Sequence, residues 1–127
     1  MKHRLLELAL LIWVFLAPIQ PAMGCVMALP IVDLILALYC AKRAGQPLTS
    51  TGLKRTVAKI LMYEAATILA FLTETYLTGP ALPCLRLVTG LIGCTELKSC
   101  LEHLDEAQGS SLFAMILSKL SPPNEDK

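Results

Sequence analysis

The sequence predicts an all-α integral membrane protein, a helical bundle of about four transmembrane helices followed by an amphipathic cytoplasmic helix. The 127 residues are 55% hydrophobic and only 17% charged, which is more apolar surface than one small soluble core can hide. The apolar residues also form long runs, and basic residues gather between them. We therefore expect a transmembrane domain over residues 1–98 and a cytoplasmic amphipathic helix and tail over 99–127.

A basic loop between the second and third apolar runs sets the predicted orientation. Lys42 and Arg43 follow the second run, and Lys54 and Arg55 precede the third. Lys and Arg accumulate in cytoplasmic loops, so this loop should face the cytoplasm. The predicted spans are residues 5–20, 23–41, 57–77 and 82–97.

Both termini are cytoplasmic in this topology, and the charge distribution agrees with it. Of the eleven Lys and Arg residues, all except Lys59 and Arg86 fall in cytoplasmic segments. These two lie near span ends, where long side chains reach the interface. The two external turns, at 20–24 and 78–82, contain no basic residue.

The first apolar run has two interpretations. Its basic start, its short apolar region and the small residues before Cys25 are typical of a cleaved signal peptide. The chain becomes hydrophobic again directly after Cys25, however, which favours an uncleaved first span. Cleavage would leave three spans.

Acidic residues interrupt the second and third runs. An intramembrane carboxylate costs about 2.5–3.5 kcal/mol on insertion scales, so Asp33 should face protein or water. Glu64, Thr67 and Glu74 lie within one arc of the third helix, which gives that helix a polar face. This face either packs on sibling helices or lines a wet lesion or pore.

The fourth run combines small residues with a charge near each end. Gly90 and Gly93 allow close helix approach, and Arg86 and Glu96 complete the same side of the helix. Arg86 could pair with Glu64 or with Glu74, and Glu74 is the favoured partner because Arg86 and Glu74 both lie near the predicted external turn. Asp33, Glu64, Thr67, Glu74, Arg86 and Glu96 together make up the candidate polar membrane face.

A helical pattern continues beyond the fourth span until Gly109, which should end it. Ser110 is then a candidate N-cap for a last helix that is too short to cross a membrane. The apolar stripe of this helix consists of Leu112, Phe113, Ile116, Leu117 and Leu120. It should lie on the membrane surface or pack on a partner helix, and the residues after it should form a frayed tail.

A short motif that begins at the end of the fourth run resembles that of a known family. Glu96, Ser99 and Glu102 stand as E-x-x-S-x-x-E, which is similar to the motif of the multi-span phage lysis holins of the toxin-secretion/phage-lysis holin family. In that family an early Asp precedes a basic loop with a Ser-x-Gly segment, and the corresponding residues here are Asp33, Lys42, Ser50, Gly52 and Lys59. The resemblance covers about residues 31–120, and it departs from the family pattern at Ala37, Arg55 and His103.

The resemblance implies a small phage-encoded protein of the bacterial inner membrane. Such a protein forms homo-oligomers in the lipid bilayer and permeabilises it, which releases or activates an endolysin during host lysis. No catalytic constellation and no cofactor motif is evident, and no basic face with interleaved aromatic residues indicates nucleic-acid binding. A small ion-coupled transporter and a non-conducting membrane scaffold remain the alternative functions.

The five cysteines also leave alternatives open. Cys25 and Cys84 lie near the predicted external side, where a disulfide is one interpretation. The odd number of cysteines and their membrane burial favour free thiols that pack as small apolar residues. Cys94, Cys100 and His103 do not have a recognised zinc spacing, so we expect helix packing there and no metal site.

Overall fold

The computed structural model describes residues 1–109 and 111–120. These residues contain five α-helices and no strand, which confirms the all-α class. The helices are α1 (Lys2–Phe15), α2 (Gln20–Arg43), α3 (Ser50–Thr73), α4 (Cys84–Gln108) and α5 (Leu112–Leu120). The predicted cap at Ser110 and the predicted tail at 121–127 lie outside the described residues.

Two helical segments are long and apolar enough to cross a membrane. They are Ala17–Arg43, with 27 residues, and Ser50–Ala81, with 32 residues. At 1.5 Å per residue both exceed the roughly 30 Å of a bilayer's hydrocarbon core. They contain the predicted spans at 23–41 and 57–77.

Helix α1 is shorter than the predicted first span. It ends at Phe15, and a 3₁₀ turn at Ala17–Ile19 that contains Pro18 separates it from α2. None of its residues is buried. The ring of Phe15 makes an edge-to-face contact with Phe71, at a centroid distance of 5.7 Å, and stacks on Tyr76 at 6.5 Å. These contacts attach the end of α1 to the end of α3 and to the turn that follows it.

Helix α4 confirms that the helical pattern continues past residue 97. It ends at Gln108 and is capped by Gly109, whose φ of +64° belongs to the left-handed conformation that glycine adopts without steric cost. The predicted turn around residue 79 is also present. A π-helical turn at Glu74–Thr78 and a 3₁₀ turn at Gly79–Ala81 lead into α4, and Gly79 has a φ of +57°.

Helices α2, α3 and α4 pack into a three-helix bundle. Short connections make α2 and α3 antiparallel and α3 and α4 antiparallel, so α2 and α4 run in the same direction. The buried apolar residues among those described are few: Ile19, Val26, Pro30, Cys40, Ala70, Ile92 and Cys100. Large apolar side chains are exposed on every helix. Most of the apolar surface of this chain therefore remains free for lipid or for other protein chains.

Candidate functional site

A cluster of five polar side chains lies inside the bundle, and we refer to it as the ion cluster. Asp33 comes from α2, Lys59 and Tyr63 from α3, and Glu96 and His103 from α4. Residues four or seven apart share one face of a helix, so each of α3 and α4 presents two members in the same direction. The cluster connects all three helices of the bundle.

Glu96 is the central member and is fully buried. The Nζ atom of Lys59 lies 3.0 Å from Oε1 of Glu96 and 3.1 Å from Oε2. The hydroxyl of Tyr63 donates a hydrogen bond of 2.7 Å to the same Oε1. Hydrogen bonds to an ionised group are about twice as strong as neutral ones, so this contact holds α3 firmly against α4.

Asp33 joins α2 to the other two helices. Its Oδ1 lies 3.0 Å from Nδ1 of His103, and its Oδ2 lies 3.7 Å from Nζ of Lys59. Further along α2, the thiol of Cys40 donates to the backbone oxygen of His103 at 3.3 Å, and Arg43 donates to the backbone oxygen of Ala107. Asp33 faces protein, as the sequence predicts.

A cavity of about 300 Å³ opens beside the ion cluster. Its walls contain the side chains of three helices, with cations, a carboxylate and hydroxyls among them. The lining residues are Asp33, Leu34, Ala37, Gly52, Arg55, Thr56, Lys59, Ser99 and His103. Asp33, Gly52, Lys59 and Ser99, which carry part of the holin resemblance, therefore meet in one place.

The residues of the predicted polar face of α3 differ in whether their polar atoms have hydrogen-bond partners. Thr67 is fully buried, and its hydroxyl donates to the backbone oxygen of Tyr63 at 2.8 Å. Both carboxyl oxygens of Glu64 are buried and have no hydrogen-bond partner within the described part of the chain. Within the described residues, Glu64 is therefore the member of this face whose buried polar atoms are left unsatisfied.

Glu74 does not pair with Arg86. Its Oε2 instead accepts a hydrogen bond of 2.8 Å from the backbone N–H of Leu85, in the first turn of α4. A carboxylate at this position satisfies one of the free N–H groups of the helix and interacts favourably with the helix dipole. Arg86 is exposed on the outside of α4. The expected ion pair is wrong because Leu85, and not Arg86, points its donor at Glu74.

The glycines of α4 have no close neighbour inside the chain. A Cβ atom added at Gly90 or Gly93 would meet nothing within 4 Å. The predicted role of these glycines in helix packing thus stays a prediction for contacts between chains.

Ser50 begins α3 and is exposed, and Glu102 is exposed and lies 3.9 Å from Lys98. Of the E-x-x-S-x-x-E motif, Glu96 is in the ion cluster, Ser99 lines the cavity and Glu102 is on the surface.

All five cysteines are free thiols, so Cys25 and Cys84 form no disulfide. Cys40 and Cys100 are buried, which agrees with a packing role. Burial raises the pKa of the Cys100 thiol, and the nearby carboxylates of Asp33 and Glu96 raise this pKa further. Among the described residues, no group of three or more His, Cys, Asp and Glu side chains is placed to hold a metal ion.

Three members of the ion cluster were missed by the sequence analysis. Lys59 was expected to reach the interface, but its ammonium group turns into the bundle and its side chain is only 31% exposed. Tyr63 has no role in the sequence-based prediction, and His103 is expected only to take part in helix packing. The signal that was available is spacing, since Tyr63 follows Lys59 by four residues and His103 follows Glu96 by seven.

Comparison of the chain with models of protein families, with curated proteins and with solved structures finds no match.

Proposed function

We propose that this protein inserts into the bacterial inner membrane, forms homo-oligomers there and permeabilises the membrane in the manner of a holin, which gives an endolysin access to the cell wall. The observation that carries this proposal is that apolar side chains lie on the outside of the bundle and charged side chains lie inside it. Apolar side chains cover much of the outside, whereas Asp33, Lys59 and Glu96 are turned inside. Such a chain can enter lipid first and present polar groups to water afterwards.

The exposed apolar surface supports insertion and self-association. Helix α1 exposes apolar side chains around its whole circumference, and α2 and α3 expose them along their lengths. Lipid or another copy of the chain must cover this surface in the cell. The unoccupied space beside Gly90 and Gly93 leaves α4 open to a helix of a second copy.

The proposed topology has four spans and cytoplasmic termini. Ala17–Arg43 and Ser50–Ala81 contain two of the spans, at about residues 23–41 and 57–77. The other two are proposed at about residues 5–20, which begin in α1 and end at the start of α2, and at about 82–97, which is mostly the first half of α4. The basic loop after α2 remains in the cytoplasm, where α5 lies on the membrane surface with Lys119 in its last turn.

Induced expression in bacteria tests this function. We expect a delay followed by an abrupt loss of membrane potential, measured with a potential-sensitive dye. Cells should lyse only when an endolysin is expressed together with the protein, and endolysin alone is the matched control. Normal accumulation of the protein in the membrane without depolarisation would show that the proposal is wrong.

The ion cluster and its cavity favour a second candidate, a small proton- or cation-coupled transporter. Hydrogen bonds and ion pairs run without interruption from His103 through Asp33, Lys59 and Glu96 to Tyr63. Chains of ionisable groups within membrane proteins mark proton and ion pathways. Proton flux into proteoliposomes that depends on an added substrate, without release of a trapped dye, would select this candidate. If neither flux nor depolarisation occurs, the protein is a non-conducting scaffold.

A further inference from the structure

The contact of Glu96 with Lys59 and Tyr63 joins α3 to α4 at the fully buried side chain of Glu96. Both carboxyl oxygens of Glu96 are occupied by Lys59, and Tyr63 adds a second donor to Oε1. The three polar groups are thus satisfied inside one chain. Neither the lipid outside nor any aqueous space has access to the carboxylate of Glu96, which is 0% exposed.

A water-filled assembly requires the opposite arrangement of these groups. Ionisable side chains inside membranes face aqueous cavities when they are not paired within the protein. If α4 separates from α3, then Lys59, Tyr63 and Glu96 become available to line such a space. As long as the contact is formed, few polar side chains of the cluster are available to line a water-filled space, because Asp33 is also held by His103 and Lys59.

We propose that the Lys59–Tyr63–Glu96 contact is an autoinhibitory lock, which keeps the single chain closed and must open before a permeable assembly forms. This inference rests on the proposed permeabilising function and names its regulation. Water can reach the Lys59 end of the lock, since Lys59 lines the cavity of about 300 Å³ together with Ser99, whereas the carboxylate of Glu96 is closed off. Water that enters there weakens the attraction between Lys59 and Glu96 by raising the local dielectric constant.

Tyr63→Phe tests the lock with minimal disturbance of packing. This variant removes one hydrogen bond of 2.7 Å to Glu96 and keeps the aromatic ring. The purified full-length protein is reconstituted into liposomes that contain a trapped dye, at equal protein-to-lipid ratio for every variant. Loss of one hydrogen bond to a charged group should accelerate dye release about tenfold.

Two matched variants control for the chemistry of the substitution. Tyr76→Phe makes the same change at an exposed tyrosine of the same chain. Glu102→Gln neutralises an exposed carboxylate of α4, whereas Glu96→Gln neutralises the buried one. Release should be faster for Tyr63→Phe and Glu96→Gln and should stay within about twofold of wild type for both controls. Equal or slower release by Tyr63→Phe, with wild type active, would overturn the lock.

Hydrogen–deuterium exchange separates failure of the lock from failure of the proposed function. In detergent micelles, the backbone amides of residues 96–103 should exchange about tenfold faster in Tyr63→Phe than in wild type, because exchange reports local opening. If no variant releases dye, the permeabilising function is wrong, and exchange alone then decides whether the contact closes the bundle. Unchanged exchange would show that Tyr63 does not hold α4, which also overturns the lock.

Discussion

The ammonium group of Lys59 bridges both oxygens of Glu96, at 3.0 and 3.1 Å, and Glu96 is fully buried. The Nζ atom of Lys59 also lies 3.7 Å from Oδ2 of Asp33. One cation therefore forms ion pairs with two carboxylates, one on α2 and one on α4. Removal of this cation would leave a buried negative charge without its main partner. The stability of the bundle should therefore depend strongly on Lys59.

Lys59→Met is expected to lower the free energy of unfolding by about 3 kcal/mol. Breaking a buried ion pair costs about 3–5 kcal/mol, and the lower end applies because Lys59 remains 31% exposed. The double variant Lys59→Met, Glu96→Leu should regain most of this loss, since it leaves no unpaired charge in the pair. Denaturant unfolding in micelles, followed by circular dichroism, measures both variants. Lys98→Met, in an exposed pair, should change stability by less than about 0.5 kcal/mol, and an equal loss there would refute this account.

Glu64→Leu is expected to stabilise the single chain. Both oxygens of Glu64 are buried without a partner among the described residues, and an unsatisfied buried polar group costs about 1–3 kcal/mol. Thermal unfolding of the monomer in micelles should therefore shift to higher temperature. If Glu64 lines the wet space in an assembly, the same variant should also delay depolarisation in cells. A loss of monomer stability would show that Glu64 has a favourable partner.

Glu74→Ala is expected to loosen the start of α4. The variant removes the acceptor for the Leu85 N–H, and loss of a helix N-terminal acceptor costs about 0.5–2 kcal/mol. The Leu85 amide should exchange faster with deuterium, as measured by NMR. Glu74→Gln keeps an acceptor oxygen and should have a smaller effect. Equal exchange in wild type and Glu74→Ala would contradict the capping role.

Alkylation of Cys100 should require a higher pH than alkylation of an ordinary cysteine. Burial is the largest cause of its raised pKa, and a raised pKa means less reactive thiolate at any given pH. The test uses a variant in which Cys100 is the only cysteine and follows the alkylation rate against pH by mass spectrometry. Asp33→Asn removes a neighbouring negative charge and should move the midpoint to lower pH. A midpoint at the value of a model thiol would be inconsistent with this environment.

Single cysteines introduced at Gln46 and Ala81 test the topology. Both positions are exposed and lie in opposite connections of the bundle. In a background without native cysteines, a charged thiol reagent added to intact cells should label Ala81→Cys and leave Gln46→Cys unlabelled. Lysis of the cells before labelling is the control and should make Gln46→Cys accessible. External labelling of Gln46→Cys would refute the four-span arrangement.

Helix content, the Gly109 stop and the turn near Gly79 were predictable because they depend on local properties of the chain. Hydrophobic periodicity identifies helices, and glycine permits the positive φ seen at both positions. The end of α1 at Phe15 was predicted less well, because the predicted first span continues through Pro18 to residue 20, whereas proline interrupts the regular hydrogen bonding of the helix. The inward orientation of Asp33 was predictable from the cost of placing a carboxylate in lipid.

The sequence by itself determined which residues form helices and which of them are too polar to face lipid, because both properties belong to a residue and its near neighbours. Only the tertiary structure decided which polar groups pair with one another. Lys59 meets Glu96 across 37 positions, and Glu74 meets the N–H of Leu85 and not the side chain of Arg86. These pairings depend on how far each helix is displaced along its neighbour and how it is rotated, and a shift of one residue turns a side chain by 100°. Loop conformation and the packing of all three helices set this displacement and this rotation, so neither can be predicted from a local pattern in the sequence.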